Sequence, residues 1–443
     1  MYSADPIETL ITILILQQIT IKVSDFNSGG YSGQRKDGIH RPKGGSHDNL
    51  VKEQPNQEYN KPNQSKKDTN KNDFPSNQQN KDLKSEPSDY IIIYDRYLNE
   101  DELQEKVELQ RENGQVRKKL PLINGVACQL EDGDHRAEVE SISGVKRVDE
   151  DLTLEIKSPE FKLESEQSLS GDVVPWGVET INTLDAWSNL KVKVGIIDTG
   201  IDLNHFDLLP INSGYNTIEP DQQPYDPNGH GTHVAGTIAA RKNNKGVVGV
   251  APNIELYPIK VFDKDGSAKM SSLIEALQWS IDNNIRVLNM SFGVDKNNNS
   301  LREAIAKAHQ AGILMVAAAG NDSTATVDFP AHYSEVISVG AINEDKKIAD
   351  FSNYGTGLDV VAPGVNVEST WKDGQFNKLN GTSMATPHVT GIAALILGKF
   401  NNLTPSKIKR AIKRGATPLQ SIDPAKQGAG LIDAAQTIKL LKQ

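Results

Sequence analysis

An α/β fold is predicted, with a mainly parallel sheet covered by helices on both faces and a small α+β unit ahead of it. Three observations lead there. From residue 172 onwards, short apolar runs of strand length alternate with stretches of helical period, the pattern of a parallel sheet with crossover helices. Residues 89–157 form a separate run of strand and helix signals, richer in acid than the rest. A long apolar segment from about Ser383 follows a glycine turn and reads as a buried helix.

The C-terminal part, 172–443, reads as one domain. Val192–Ile197 is a strand that ends at Asp198; Glu255–Phe262, Arg286–Met290, Ile313–Ala318 and Val336–Ala341 are further strands. Helices are expected over Gly231–Arg241, Met270–Asn283, Leu301–Gln310, the segment from Ser383, Pro405–Gly415 and Asp433–Leu441. In such sheets sites form at the carboxyl ends of strands. Asp198 lies at one such end and Asn321 just beyond another.

The smaller unit, 89–157, has strands at Tyr90–Tyr94, Leu120–Leu130, Val145–Val148 and Leu152–Ile156, with helices at Glu100–Glu112 and His135–Ser143. At about 70 residues it has little core of its own. A polar connector, 158–171, joins it to the large domain and is the type of segment that proteases cut.

Residues 24–88 are Asn, Gln, Lys, Ser, Asp, Pro and Gly with scattered apolar residues, a composition that does not bury enough surface to fold. They are expected to be a disordered tether. Within 1–23, Thr9–Ile21 is uncharged and apolar. It is shorter than the roughly 20 residues of a membrane span and suits the apolar part of an export signal. Asp5 and Glu8 stand where a basic leading region belongs. An interfacial anchor, an atypical export signal and an oddly translated start are all open readings.

The chain has 443 residues and a net charge of −10. The acid is concentrated: residues 89–171 carry 11 Lys and Arg against 20 Asp and Glu, and residues 172–443 carry 25 against 27. Neither part is a basic surface for nucleic acid. The single cysteine, Cys128, excludes an intrachain disulfide and a cysteine-based metal site.

Three motifs carry the chemistry: Gly195–Gly200 (GIIDTG), Asn228–Val234 (NGHGTHV) and Gly381–Pro387 (GTSMATP). A serine nucleophile needs a base to take its proton and an acid to orient that base. Asp198, His230 and Ser383 supply those types in the order Asp, His, Ser, which is the order of subtilisin. Over about residues 172–443 the chain resembles the subtilisin-like serine proteases (subtilases).

That resemblance implies a three-layer subtilisin-like domain and a serine endopeptidase. It implies that Asp198 orients the imidazole of His230, that His230 is general base and then acid, and that Ser383 is the nucleophile. Ala317–Asp322 (AAAGND) resembles the family's oxyanion segment, so the Asn321 side chain and the Ser383 backbone N–H are expected to hold the oxyanion. His233 and His388 are expected to be packed structural histidines.

Gly266, Ser267 and Ala268, with Ser291, Phe292 and Gly293, resemble the two segments that hold a peptide as an added strand. Phe262 and Met270 are expected to line a subsite for an apolar residue four before the cut. Asp328 falls where the family shapes the floor of the primary pocket, and Asp322 at its rim. Two carboxylates there favour Arg or Lys before the scissile bond.

A structural Ca²⁺ site is implied too, with Asp172, Asp207 and Asn243 as side-chain ligands and Arg241, Lys245 and Val247 as carbonyl ligands; oxygen-only ligation suits this ion. A second, weaker cation site is expected near Ala331, Tyr333, Val336 and Asp359, with Gly357 where some relatives carry an acid. By position and pattern, 89–157 resembles the family's inhibitory propeptide, so a zymogen cut within Lys157–Gly171 is expected, with Lys162 as the residue before the cut. The enzyme is expected to act on polypeptides as a monomer, outside the cell or at its surface. A catalytically silent fold used for binding and an acyl hydrolase or esterase are the alternatives from other classes.

Overall fold

The computed structural model describes residues 88–96, 114–130, 135–156, 171–183 and 191–443. All belong to one compact unit, residues 80–443. The apolar N-terminal segment, the polar tether, the expected helix at Glu100–Glu112 and most of the connector lie outside the described residues.

The large domain is built on a parallel sheet. In chain order its strands are β6 (Lys193–Asp198), β7 (Tyr215–Asn216), β8 (Glu255–Lys260), β10 (Val287–Met290), β11 (Leu314–Ala318), β12 (Val336–Ile342) and β13 (Val360–Pro363). They lie side by side as β13-β12-β11-β10-β6-β8-β7. Every pairing is parallel, so both faces need cover and the strands read as continuous apolar runs. Met315, Val316, Ala317, Val336 and Ile337 are fully buried accordingly.

Helices flank the sheet, giving the three-layer α/β architecture. α3 (His230–Ala239) and α6 (Thr382–Lys399) pack on each other, and α6 lies along β10 to β13. α4 (Met270–Asp282) and α5 (Asn299–Gln310) pack together, with α4 against β6. α6 is apolar all round and buried from Thr382 to Leu397, as a helix between sheet and helices must be. A hairpin of β14 (Val367–Trp371) and β15 (Gln375–Leu379) covers α3.

In the smaller unit β1 (Ser88–Tyr94), β2 (Gly114–Leu120), β3 (Gly125–Leu130) and β4 (Val145–Glu150) make an antiparallel sheet in the order β2-β3-β1-β4. α1 (His135–Ser141) packs on β4. The expected single strand at Leu120–Leu130 is two strand segments with a turn at Pro121–Ile123 between them. β2 escapes a hydrophobic reading because Arg117, Lys118 and Lys119 crowd it, leaving Val116 and Leu120 as its apolar residues.

The two faces of this sheet have different partners. Tyr90, Ile92 and Tyr94 join Val126, Cys128, Val139 and Val148 in a small core of the unit's own. Ile91 and Ile93 on the opposite face join the core of the large domain, together with Leu120 and Ile123. Strand alternation thus explains why Tyr90–Tyr94 is apolar at every position.

Polar contacts fix that docking. Asp151 accepts from Ser271 N at 2.8 Å and Ser271 Oγ at 2.7 Å. It caps α4, whose own N-cap residue, Lys269, offers no side-chain acceptor. Asp149 accepts from Ser300 Oγ at 2.6 Å on α5, and Arg147 reaches Glu303 at 3.0 Å.

Candidate active site

Asp198 is the last residue of β6 and His230 the first of α3. Their side chains meet at 2.8 Å, His230 Nδ1 to Asp198 Oδ1, and neither is exposed to solvent. Gly229, the residue before α3, has φ 111°, a conformation that glycine adopts freely. It turns the chain so that the imidazole starts the helix over the strand end. His230 Nε2 has no hydrogen bond among the described residues.

Ser383 is the second residue of α6, after Gly381 at φ 148°. Its hydroxyl donates to Ser291 O at 2.9 Å, and Ser291 Oγ donates back to Ser383 O at 2.8 Å. The serine is therefore placed by the chain just beyond β10 rather than by His230. Residues from the ends of β6, β10 and β11 and from the starts of α3 and α6 converge here.

Asn321 is oriented by its carbonyl end. Its Oδ1 accepts from Thr382 N and from Thr382 Oγ1, each at 2.9 Å, which turns Nδ2 towards Gly381. A Cβ on Gly381 would stand 3.6 Å from Asn321 Nδ2 and 3.6 Å from Ser383 N. The missing side chain thus leaves a space that two N–H donors border. The Ser383 N–H belongs to a first helical turn, where such groups lack intrahelical partners.

The two expected peptide-binding edges already hold a strand of this chain. β5 (Thr153–Glu155) pairs antiparallel with β9 (Ser267–Lys269), Leu154 opposite Ala268 and Glu155 opposite Ser267. Glu155 also bridges to Gly293, and Ile156 N donates to Gly266 O at 2.9 Å. Phe262, Met270 and Phe292 are buried in one cluster with Leu154; the Phe262 and Phe292 rings are 4.9 Å apart.

Asp328 and Asp322 part company. Asp328 is 4% exposed and its carboxylate lies between two glycines: a Cβ on Gly293 or Gly320 would come within 2.9 or 2.7 Å of Oδ2. Asn353 Nδ2 donates to Asp328 Oδ1 at 3.2 Å. Asp322 is exposed, with its backbone N–H on Asn353 Oδ1 at 2.9 Å. One carboxylate is therefore buried between two glycine backbones, while the other is exposed on the loop after Asn321.

At the expected calcium site, Asp207 is fully buried and accepts from Asn243 Nδ2 at 3.0 Å and Val247 N at 2.9 Å. Asp172 accepts from Asn243 N at 3.0 Å and Asn244 N at 2.6 Å. Arg241 N donates to Asp207 O, and Asn243 Oδ1 accepts from Lys245 N at 3.0 Å, so the whole loop closes on this acid. Burial first, then the charge of Asp172, raise the Asp207 carboxyl to about 7. A buried carboxylate beside a second, half-buried one is the oxygen chemistry that suits a hard cation.

The second cation site is corrected by the structure. Asp359 is paired with Lys409 at 2.8 Å and Lys413 at 2.7 Å. Lys409 Nζ also donates to Val336 O at 2.6 Å and Ser334 O at 2.9 Å. An ammonium group on α7 (Pro405–Gly415) occupies the carboxylate and carbonyls that a metal ion would need.

His233 and His388 are buried and structural in their contacts. His233 Nε2 lies 2.9 Å from Val367 O and 3.2 Å from Asn377 O, and His388 Nδ1 lies 2.9 Å from Met384 O. Burial lowers them to about 3 and about 4.

The profile of the subtilase family matches residues 189–430. Subtilisin DY of Bacillus licheniformis is 43% identical over 268 residues, 59% of this chain and 97% of that protein. The thermostable alkaline protease of Halalkalibacterium halodurans is 43% identical over 267 residues, 59% of this chain and 73% of its own. Subtilisin E of Bacillus subtilis is 39% identical over 321 residues, 70% of this chain and 80% of that protein.

Proposed function

The chain belongs to the subtilase family and is a subtilisin-like serine endopeptidase; on that premise we propose that it hydrolyses polypeptides through Asp198, His230 and Ser383. The observation that carries this is the buried 2.8 Å pair of His230 and Asp198 with Nε2 unengaged. The Ser383 hydroxyl rotates from Ser291 O to His230 Nε2, gives up its proton and attacks the carbonyl carbon. Asp198 holds Nδ1–H, so that the accepting nitrogen faces the serine. The oxyanion forms between Asn321 Nδ2 and the Ser383 N–H; a donor of this type is worth about 2.7–4 kcal/mol of transition-state stabilisation. His230 returns the proton to the leaving amine, and water repeats the sequence on the acyl-enzyme. Activity against a peptide reporter tests this: Ser383→Ala abolishes it, and a variant as active as the parent would overturn the assignment.

The second part of the proposal is that residues 89–157 are an inhibitory propeptide removed by the enzyme itself. The unit's strand Thr153–Glu155 pairs with Ser267–Lys269 and Glu155 bridges Gly293, so it lies along both edges expected to hold a peptide. The cut is proposed within the connector, after Lys162, a basic residue that the carboxylate of Asp328 favours. The N-terminal sequence of the matured chain decides: Leu163 is expected, and a cut after Glu164 or Glu166 would overturn the acidic-pocket reading.

Asp172, Asp207 and Asn243, with carbonyl oxygens of Arg241, Lys245 and Val247, are proposed to hold a Ca²⁺ ion that neutralises buried Asp207 and half-buried Asp172 and stiffens the loop. We place the enzyme outside the cell or at its surface, where a zymogen form protects the producing cell. Among the described residues no helix is long and apolar enough to cross a membrane.

A further inference from the structure

We propose that Asp226, a buried carboxylate outside the acid–base pair, is a positioning residue that fixes Asp198 and His230 relative to each other. The inference rests on the reading of those two residues given above. Asp226 is fully buried and five donors converge on it. Its Oδ1 accepts from Thr199 Oγ1 at 2.8 Å, Gly229 N at 2.8 Å and Asn228 N at 3.0 Å. Its Oδ2 accepts from Thr232 N at 2.9 Å and Thr232 Oγ1 at 2.7 Å.

These donors come from two places. Asn228, Gly229 and Thr232 surround His230 in sequence, so one set fixes the turn and first helical turn that carry the imidazole. Thr199 follows Asp198 and belongs to the other half of the pair. Its N–H donates to Asp198 Oδ1 at 2.8 Å, its hydroxyl reaches Asp226, and its Oγ1 accepts from Gly231 N at 3.0 Å. Thr199 is thus a clasp: one end holds the acid, the other holds the carboxylate on which the helix start is hung. The fit is close, since a Cβ on Gly231 would lie 2.1 Å from Gly200 O.

Two buried carboxylates so near each other call for a counter-charge. Lys260 supplies it: it is buried, and its Nζ donates to Thr199 O at 2.5 Å and Phe262 O at 3.1 Å. A purely capping role for Asp226 would involve Thr232 alone. The bond to Thr199 is what makes it a positioning residue, and it can be broken separately.

The test uses the full chain, matured, with kcat and KM for a peptide reporter of Asp226→Asn, Thr199→Val and Thr199→Ser. Thr199→Val breaks the clasp and leaves the helix cap intact. A fall in kcat of tenfold or more with KM within twofold is expected for Thr199→Val and for Asp226→Asn, because both side chains are fully buried. Thr199→Ser, which keeps the hydroxyl, is expected to stay within threefold of the parent. Wild-type kcat in Thr199→Val would overturn the proposal, as would an equal loss in Thr199→Ser. If Asp226→Asn does not fold, the threonine pair decides alone. His230→Ala separates the two levels: activity surviving there sinks the acid–base reading itself.

Discussion

Leu154 stands opposite Ala268 in an antiparallel pair, and its side chain is buried. A residue of the N-terminal unit thus lies on the edge along which a substrate strand is expected. Leucine-to-alanine changes at buried sites cost about 2–5 kcal/mol. For Leu154→Ala the released N-terminal segment should inhibit the mature enzyme at least tenfold less tightly, read from inhibition constants in trans. Unchanged inhibition would mean that the docking face of β1 and the caps on α4 and α5 hold the segment without this contact.

The carboxylate of Asp328 between Gly293 and Gly320 sets the second expectation. A hydrogen bond to a charged group is worth about 1.5–3 kcal/mol, so Asp328→Ser should lower the ratio of kcat/KM for Arg over Phe reporters by about 10- to 100-fold. A ratio near one in the parent enzyme would contradict an acidic pocket.

Lys409 stands at the expected second cation site. Its ammonium sits on Asp359, Val336 O and Ser334 O, and Lys413 shares the same acid. Lys409→Ala should lose about 1–3 kcal/mol of stability, since an acid buried as Asp359 is keeps one cation of two. Added KCl should recover part of that loss and do nothing comparable for the parent. Thermal melts with and without salt check it; equal salt responses would deny the cage its fit for a free ion.

Acid should destabilise the fold by a route independent of catalysis. His233 and His388 are held by burial at about 3 and about 4, against about 6.5 in an unfolded chain. Both depressed values favour the neutral folded form, so this stability is complete above pH 6.5. Below that the unfolded chain takes up protons that the folded one refuses, and stability drains away towards pH 4. The slope is about 1.4 kcal/mol per pH unit for each histidine. Melts of Ser383→Ala, which removes self-digestion, should fall in midpoint from pH 7 to pH 4.5. Adding His388→Gln should flatten that fall.

Calcium and Asp207 belong together in the last expectation. A ligand at 100 times its Kd stabilises by about 2.7 kcal/mol, so chelation should lower the melting midpoint of the parent by several degrees. Asp207→Ala should abolish the response to calcium. A parent indifferent to chelator would exclude the site.

Much of this molecule could be read from the chain. Strands buried on both faces announce themselves as apolar runs, as at Leu314–Ala318 and Val336–Ile342. The site residues sit in motifs whose glycines, Gly229 and Gly381, are demanded by local backbone shape. Elements held by tertiary contacts were harder to see. β2 is crowded with charge because it faces solvent on one side and Glu275 on the other. β13 is only four residues, Val360–Pro363, too short to stand out, and the β14–β15 hairpin carries a mixed sequence whose burial comes from neighbours distant in the chain.

The sequence by itself determined the order and local setting of Asp198, His230 and Ser383, because a turn, a helix start and a strand end are short-range features. Tertiary structure alone decided which of several acids did what. Asp226, Asp328 and Asp359 look alike in a sequence. Buried, the first gathers five N–H and O–H donors, the second lies between two glycines, and the third is neutralised by two lysines. The physical reason is that a carboxylate's role is set by what compensates its charge once water is gone, and those partners arrive from strands and helices far away along the chain.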